Sequence, residues 1–260
     1  KSGTTSSQRL RLLLLLGLVI VNLMVWVLLG YFLHQSRAHH EQTARSATLN
    51  ITNALDQSVS SSVERIDLAL RAVVDELEHQ LAEKGIDENL ANAFLEHQLQ
   101  RLPELEAFRV ADAEGYVFLG KGVVKANRVS WADRDYFIFH RDDAEDRLYF
   151  RKPRVGRVAK QYIVNFSRRY NYPDGSFAGV ISAPVAVDHL YKLLTQYDIG
   201  AKGTLILRDA DLGLITRTPP IPDQPAGQIG TSAVSKEYRQ LAESGQASAT
   251  YHITTSPDGY

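Results

Sequence analysis

The sequence predicts an α+β protein in which one N-terminal transmembrane helix continues into a long stalk helix, followed by two tandem modules with antiparallel sheets. Three observations support this prediction. An unbroken apolar run lies near the N-terminus, a long segment without Gly or Pro follows it, and the rest of the chain alternates short strand patterns with turn residues.

The apolar run predicts a membrane span over residues 12–33, which read LLLLLGLVIVNLMVWVLLGYFL with Asn22 as the one strongly polar residue. A hydrocarbon core of about 30 Å is crossed by roughly 20 apolar residues in a helix. A cleaved signal peptide has an apolar region of only about 7–15 residues, so it is the weaker alternative. We therefore expect an uncleaved signal anchor.

Basic residues near the span predict its orientation. Those before the span are Lys1, Arg9 and Arg11, and those after it are Arg37 and Arg45. The slight excess on the N-terminal side favours residues 1–11 in the cytoplasm, a span in a bacterial inner membrane, and residues from about 35 onward in the periplasm. The absence of cysteine fits an exported domain without disulfides, and a net charge of -1 gives no indication of a nucleic-acid partner.

Residues 34–84 predict one long amphipathic helix because no Gly or Pro occurs between Gly30 and Gly85. Apolar residues recur there at spacings of three and four, namely Leu55, Val59, Val63, Ile66, Leu70, Val73, Leu77 and Leu81. This stripe fits either pairing with a second copy in a homodimer or packing on the chain's own domain. The spacing alone does not separate these two interpretations.

Two modules are predicted beyond the stalk, over residues 85–197 and 198–260. The first begins with a helix that has Asp87 as its N-cap and Pro103 beyond its end. The segment RVADAEGYVFL (109–119) is similar to ILRDADLGLIT (206–216), each a strand, an acidic turn and a second strand. We expect the second module to be truncated, because the turn at 257–259 has no returning strand.

The segment WADRDYFIFHR predicts a short helix, with Ser130 and Asp133 as a capping box and Trp131 as the first helical residue. Such a helix has an apolar side that can pack on a sheet and a charged, aromatic side that can meet a polar group. RLYFRKPRV (147–155) predicts a strand, and NYPDG (171–175) predicts a hairpin turn between the two strands that follow. Another helix is predicted from Asp188 to about Tyr197.

The sequence contains none of the common catalytic motifs. It has no Gly-rich phosphate loop, no His-Glu-x-x-His and no Gly-x-Ser-x-Gly. We therefore predict no catalytic residue, no metal ion and no cofactor in this chain. An exported hydrolase is the alternative enzyme function, and it would need a nucleophile paired with a base, which the sequence does not indicate. The adjacent His39 and His40 fit a polar membrane interface better than a metal site.

A set of binding groups converges instead on the first module. These candidates are Arg134, Tyr136, His140, Tyr149, Arg151, Asn165, Ser167, Arg169 and Asp188. Guanidinium groups bind carboxylates through paired hydrogen bonds, Tyr supplies a ring wall and a hydroxyl, and an Asp can hold an amine. The set therefore predicts a site for a small carboxylate or an amino acid. Alternatives remain open: Arg134 fits a surface ion pair with Asp135, and Asp188 fits an N-cap.

The segments ADRDYFIFHR and YIVNFSRRYNYPDGSFAGVISAPVAVDHLYKLL give the chain a family resemblance. Over roughly residues 35–260 it resembles the extracytoplasmic double-Cache (PDC-type, PAS-like) sensor domain of bacterial membrane receptors. The motifs in these segments are most similar to those of Cache domains that precede diguanylate cyclase (GGDEF) domains. The resemblance implies a membrane-distal Cache module at 85–197 that holds the ligand and a membrane-proximal one at 198–260. It adds Trp131 and Phe137 to the candidate pocket.

Members of that family bind amino acids, small carboxylates or other metabolites. Arg128-Val-Ser-Trp131 fits the family's amino-acid motif only loosely, so a carboxylate is at least as well supported as an amine. The resemblance implies the ligand-sensing region of a homodimeric membrane receptor that regulates a cytoplasmic output, a diguanylate cyclase producing c-di-GMP. Two alternatives stay open: the sensor of a histidine kinase or chemoreceptor, and a dimerisation or partner-binding module without a small ligand.

Overall fold

The structure, a computed structural model, describes residues 6–124, 126–127, 129–201, 203–246, 248–249 and 251, without the side chains of residues 6–10 and 37–41. The predictions for the side chains of His39 and His40, for Arg128 and for the turn at 257–259 lie outside these described residues. The chain divides into two compact units, Lys1–Asn53 and Ala54–Tyr260.

The predicted α+β fold class is confirmed. The helices are α1 (Ser6–Glu83), α2 (Glu88–Leu99), α3 (Asp135–Asp142), α4 (Val187–Leu194) and α5 (Lys236–Glu243), with a 3₁₀ turn at Pro225–Gly227. The strands are β1 (Arg109–Asp112), β2 (Val117–Gly120), β3 (Tyr149–Phe150), β4 (Arg154–Val155), β5 (Tyr162–Asn171), β6 (Phe177–Ala186), β7 (Leu205–Arg208) and β8 (Leu214–Thr218).

The N-terminal unit contains a segment, Arg11–Ser36, that is long and apolar enough to cross a membrane, with a mean hydropathy of 2.9. The side-chain amide of Asn22 donates a hydrogen bond of 2.9 Å to the carbonyl oxygen of Leu18. This bond satisfies one amide donor within the helix itself, which suits a residue surrounded by hydrocarbon. The predicted span therefore agrees with the structure in length and composition, and its orientation remains a prediction.

In the second unit, helix α1 packs on the chain's own domain through the predicted stripe. Ile66, Leu70, Val73 and Leu77 are buried in one core cluster with residues of β5 and β6. Burial of each such side chain contributes roughly 2 kcal/mol relative to exposure. The stripe therefore packs on the chain's own domain along these turns. Asp87 caps helix α2 as predicted, accepting hydrogen bonds from the backbone N–H groups of residues 89 and 90.

A six-stranded antiparallel sheet, the main sheet, has the order β2-β1-β6-β5-β3, with β4 also paired to β5. The predicted turn at 171–175 joins β5 to β6, and Gly175 adopts a φ of +82° that favours glycine. Alternate residues of β5 face opposite sides of this sheet. Phe166 and Tyr170 pack in the core with α1, whereas Ser167 and Arg169 contact α3.

The hairpin β7–β8 forms a separate two-stranded sheet and repeats the local structure of β1–β2. Asp112 accepts a hydrogen bond of 2.7 Å from the N–H of Tyr116, and Asp209 accepts one of 2.8 Å from the N–H of Gly213. Both hairpins also carry a register shift before the turn. The similarity of the two sequence segments is therefore a similarity of turn structure, while the division into two modules stays a prediction.

Three local predictions were wrong. Helix α3 begins at Asp135 with Arg134 as its N-cap, so Trp131 is not its first residue and there is no capping box at Ser130. The N–H of Trp131 instead donates to the carbonyl oxygen of Gly115, which holds residues 130–134 in a turn beside the β1–β2 hairpin.

Helix α4 begins one residue before Asp188, which is not its N-cap, and ends at Leu194 rather than near Tyr197. The predicted single strand RLYFRKPRV is divided into β3 and β4 around Pro153, which has no N–H to donate to a ladder.

Candidate ligand-binding site

A small cavity of about 20 Å³ lies on the α3 side of the main sheet. We call it the arginine cavity. Its lining residues are Arg109, Trp131, Arg134, Tyr136, Arg154, Gly156, Arg157, Val158, Ala159, Ile163, Asn165, Ser182 and Pro184. The turn at 131–134 and the start of α3 form one wall, the segment 154–159 covers it, and β5 and β6 form its floor. Such a volume holds roughly one water molecule.

Four arginine side chains border the arginine cavity, and three of them have carboxylate partners. These three pairs are Arg109 with Glu106, Arg154 with Asp135, and Arg157 with Asp133. Arg157 forms two hydrogen bonds of 2.6 Å with Asp133, which together with the arginine charge lower the pKa of that carboxyl to about 2. The aspartates of the ADRD segment therefore hold the covering segment in place.

Arg134 is the fourth arginine and has no carboxylate partner within the part of the chain that the structure describes. Its Nη2 donates a long hydrogen bond of 3.4 Å to the carbonyl oxygen of Val155, and its buried Nε has no hydrogen-bond partner. Burial, together with the positive charge of Arg157, lowers the pKa of Arg134. The predicted alternative, a surface pair with Asp135, is wrong because Asp135 binds Arg154. An anion beside Arg134 would compensate its charge.

Asn165 provides a second buried donor that lacks a partner. Its Oδ1 accepts a hydrogen bond of 2.5 Å from the Ser182 hydroxyl, but its Nδ2 makes no hydrogen bond. A buried donor without an acceptor costs roughly 1–3 kcal/mol. Because a carboxylate carries acceptors only, its two oxygens match the unsatisfied donors of Arg134 and Asn165.

Aromatic rings form the remaining wall of the arginine cavity. The rings of Trp131 and Tyr136 are both buried and meet edge to face with centroids 5.7 Å apart. Burial raises the pKa of Tyr136 far above its ordinary value, so its hydroxyl stays protonated and can donate. The wall is therefore apolar along its ring faces, and the Tyr136 hydroxyl is a neutral donor within it.

A second group of predicted residues is buried behind the arginine cavity without lining it. His140 is fully buried, its Nε2 lies 3.1 Å from the Ser167 hydroxyl, and burial lowers the pKa of its imidazole to about 4. Arg169 donates to the carbonyl oxygens of His140 and Asp143, where helix α3 ends. These contacts attach α3 to β5 and so position the turn that carries Arg134.

The other predicted residues lie elsewhere. Phe137 packs against Phe177 with ring centroids 5.5 Å apart. The ring of Tyr149 packs against other side chains of this region, and Arg151 lies over that ring on the exposed surface. Asp188 is exposed in the first turn of α4. The structure thus brings Trp131, Arg134, Tyr136 and Asn165 together in the arginine cavity and leaves the remaining seven candidates outside it.

Sequence reasoning missed four polar residues of the cavity: Arg109, Arg154, Arg157 and Ser182. The segment RLYFRKPRV fits a single strand by its pattern, which gives no sign that Arg154 within it and Arg157 just after it pair with the acidic ADRD segment. Ser182 was not detectable in advance, because its role depends on its pairing opposite Ser167 in the β5–β6 ladder and on its bond to Asn165.

No family model matches this chain, and no curated protein matches it. Its fold is nevertheless that of extracellular ligand-binding sensor domains. It superposes with a TM-score of 0.60 on the extracellular domain of rpHK1S-Z16, which is assigned as a histidine kinase, at 22% identity over 70% of this chain and 71% of that one.

Two further solved structures share the fold. An extracellular ligand-binding receptor from Desulfohalobium retbaense has a TM-score of 0.58 at 15% identity, covering 78% of this chain and 35% of the receptor's length. The ligand-binding domain of the Pseudomonas fluorescens chemoreceptor CtaA, solved with L-isoleucine, has a TM-score of 0.50 at 13% identity, covering 68% and 67% of the two chains. At these identities the likeness concerns the fold.

Proposed function

We propose that residues 54–260 form the extracytoplasmic ligand-binding region of a single-span bacterial membrane receptor, and that the arginine cavity binds a small carboxylate. One observation carries this proposal: Arg134 has no carboxylate partner among the described residues, and its unpartnered Nε belongs to the lining of the same cavity as the unpartnered Nδ2 of Asn165. The extracellular sensor domains that share the fold support the same class of function.

The lining of the arginine cavity favours a carboxylate without an amine. No acidic side chain occurs among its described lining residues, and the nearby Asp133 and Asp135 are held by Arg157 and Arg154. A ligand ammonium group would therefore meet arginines rather than a counter-ion. Amino acids remain the second class of ligand, supported by the L-isoleucine bound to CtaA.

Binding requires movement of the segment 154–159, because the cavity holds only about one water molecule. The ion pairs of Arg154 and Arg157 hold this segment over the cavity. A ligand larger than a carboxyl group displaces the segment outward, and the open and closed forms then differ in affinity for the ligand. Such a difference is what allows a ligand to shift a conformational equilibrium.

Helix α1 is the proposed recipient of that shift. Strand β5 joins α1 through Arg168 and Asp67, and the amide groups of Asn171 donate to Glu78. We propose that α1 carries the signal to a membrane span with its N-terminus inside, within a homodimer. The cytoplasmic output domain that this region regulates could equally be a histidine kinase, a chemoreceptor signalling domain or a diguanylate cyclase. The diguanylate cyclase is supported by the sequence resemblance alone.

A thermal-shift screen of the 260-residue chain in lipid nanodiscs tests the proposal. Small carboxylates, their amides and amino acids would be compared, since a ligand of the native state raises the melting temperature by mass action. The matched variants are Arg134→Ala and Arg141→Ala. Arg134 is the N-cap of α3, whereas Arg141 lies in its last turn, is exposed and, among the described residues, forms its ion pair with the adjacent Asp142. A carboxylate shift that persists in the Arg141 variant and disappears in the Arg134 variant is expected. A shift that survives Arg134→Ala would contradict the assignment of the site.

A further inference from the structure

A second, larger cavity of about 420 Å³ lies between the main sheet, helices α1 and α4, and the β7–β8 hairpin. We call it the inter-sheet cavity. Its walls are mostly apolar and include Val63, Val164, Phe166, Leu193 and Leu207. Pockets for small organic ligands usually measure about 300–1,000 Å³ and are lined in this way. The arginine cavity shares no lining residue with it.

The size of the inter-sheet cavity and its apolar walls favour an apolar occupant over water. Apolar cavities of about 150 Å³ in other proteins stay dry and bind benzene. Empty apolar space destabilises a fold in proportion to its volume, because the side chains around it lose their contacts. An apolar molecule in the inter-sheet cavity would restore those contacts for side chains of α1, α4, the main sheet and β7.

Two ion pairs engage charged side chains of the lining. Asp211 pairs with Lys152 at 3.3 Å, and Glu104 pairs with Arg65 at 3.0 Å. Arg65 also donates a hydrogen bond of 2.9 Å to the hydroxyl of Ser62, another lining residue. These carboxylates and this ammonium group therefore have counter-ions within the protein.

Two further charged residues of the lining are engaged by the backbone around the β7–β8 hairpin. Asp209 accepts hydrogen bonds through Oδ1 from the N–H groups of Asp211 and Gly213. Its Oδ2 has no partner but is buried inside the turn, where a Cβ built on Gly213 would lie 2.5 Å from it. Arg208 donates to the carbonyl oxygens of residues 212, 231 and 233. Neither charge is therefore presented to the open space of the cavity.

Arg151 also belongs to the lining, but its charge lies on the other face of the main sheet. Its guanidinium is 5.7 Å from the centroid of the Tyr149 ring. Tyr149 pairs with Ser167, whose hydroxyl meets His140 of α3, whereas the neighbouring Phe166 lines the inter-sheet cavity. Because successive residues of a strand face opposite sides, the charge of Arg151 is directed away from the cavity.

His189 is the remaining polar side chain of the described lining. It is partly buried in the first turn of α4 and makes no hydrogen bond within the part of the chain that the structure describes. Its ring can form a hydrogen bond with an uncharged hydroxyl or carbonyl group.

We propose that the inter-sheet cavity binds an uncharged, mainly apolar small molecule. A charged ligand would lose its hydration there without gaining a counter-ion, because the acidic and basic groups of the described lining are paired, bound to backbone or directed away. The occupant lies against α1, the main sheet and the β7–β8 hairpin together. It is a second ligand input to this region and does not depend on the arginine cavity.

Isothermal titration of 2-naphthylmethanol into the 260-residue chain in nanodiscs of zwitterionic lipid, with empty nanodiscs as the blank, tests this site. The comparison ligands are 2-naphthoate and 2-naphthylmethylammonium, which keep the rings and add a negative or a positive charge. Leu207→Trp and Val59→Trp fill the cavity from two walls. Their matched controls are Ile206→Trp and Ser60→Trp, at adjacent exposed positions outside the lining, and Arg134→Ala reports on the arginine cavity.

The alcohol is expected to bind the unmodified chain at least about tenfold more tightly than either ion. Its affinity should fall at least about tenfold in both filling variants and stay unchanged in the two controls and in Arg134→Ala. A cooperative thermal transition identifies the variants that are folded. Since the two filling variants lie on different elements, either one with its control is sufficient.

Four results would overturn the proposal. The first is absence of alcohol binding to the unmodified chain, and the second is equal loss in a folded filling variant and its control. The third is tighter binding of either ion at this site, which would show that a charged group of the lining is available after all. The fourth is loss of alcohol binding in Arg134→Ala alone, which would place the ligand in the arginine cavity.

Discussion

Arg168 joins strand β5 to helix α1 through a buried ion pair. Substitution of Asp67 tests how much this ion pair contributes to the free energy of unfolding. Arg168 is only 2% exposed, and its Nε and Nη2 donate to the two carboxylate oxygens of Asp67 at 2.6 and 3.0 Å. Asp146 forms a further ion pair with Arg168 but is itself exposed. Removal of one partner of a buried pair costs roughly 3–5 kcal/mol, because the other charge stays buried. Since Asp146 remains, we expect Asp67→Ala to cost about 3 kcal/mol.

The double variant Asp67→Ala/Arg168→Met separates this explanation from simple loss of packing. It removes the buried charge as well, so we expect it to be at least about 1.5 kcal/mol more stable than Asp67→Ala alone. Urea unfolding followed by Trp131 fluorescence measures both values, and Asp75→Ala, at an exposed position of α1, is the matched control. A double variant as unstable as the sum of its single substitutions would refute the reasoning.

The same carboxylate gives a pH dependence of known sign. Burial alone would raise the pKa of Asp67, but the hydrogen bonds and charges of Arg168 and Arg71 outweigh it and lower that pKa. The unfolded state therefore binds the proton more readily, so the stabilisation is complete above the unfolded carboxyl pKa of about 3.9 and is lost as the pH falls through the lower folded value. This acid-dependent contribution should be absent from Asp67→Ala.

Three further stability predictions follow from the described contacts. Leu70→Ala, at a fully buried position of α1, should cost about 3 kcal/mol, whereas Leu68→Ala, which is 67% exposed, should cost under about 0.5 kcal/mol by urea unfolding. Asp87→Ala should cost about 1 kcal/mol and reduce protection of the first turn of α2 in hydrogen exchange. Because the folded pKa of His140 is about 4, stability should fall by up to about 3 kcal/mol as the pH drops from 6.5 towards 4, and His140→Gln should abolish that slope. Equal losses of stability in the Leu68 and Leu70 variants would contradict the burial of Leu70. Unchanged protection of the first turn of α2 in Asp87→Ala would contradict the cap, and a pH slope retained in His140→Gln would contradict the assignment of that slope to His140.

Much of the fold was predictable because its signals are local. The apolar run, the uninterrupted stripe of α1, the Asp87 cap and the turn before Gly175 each depend on neighbouring residues, and each is present in the structure. The start of α3 was not predictable in this way. A hydrogen bond from Trp131 to the distant Gly115 overrides the local capping pattern and moves the helix start to Asp135.

The candidate site was predictable only in part, because its chemistry depends on which arginines are already paired. Arg134 and Asn165 were identified from residue type and strand position, and both line the arginine cavity. His140 and Arg169 were chosen on the same grounds, but they bond to each other's strand and helix within the protein, which only the packing of α3 on β5 reveals. Arg154 and Arg157 were missed because their ion pairs with the ADRD segment join parts of the chain that are remote in sequence.

The measurement that tests the central claim most directly is a binding cycle on Arg134. The carboxylate that binds best in the screen and its uncharged amide would each be titrated into the unmodified chain and into Arg134→Ala, with Arg141→Ala as the control. We expect the unmodified chain to prefer the carboxylate at least about tenfold, and this preference to disappear only in the Arg134 variant. An undiminished preference for the carboxylate in Arg134→Ala would show that the unpaired guanidinium is not the group that recognises the ligand.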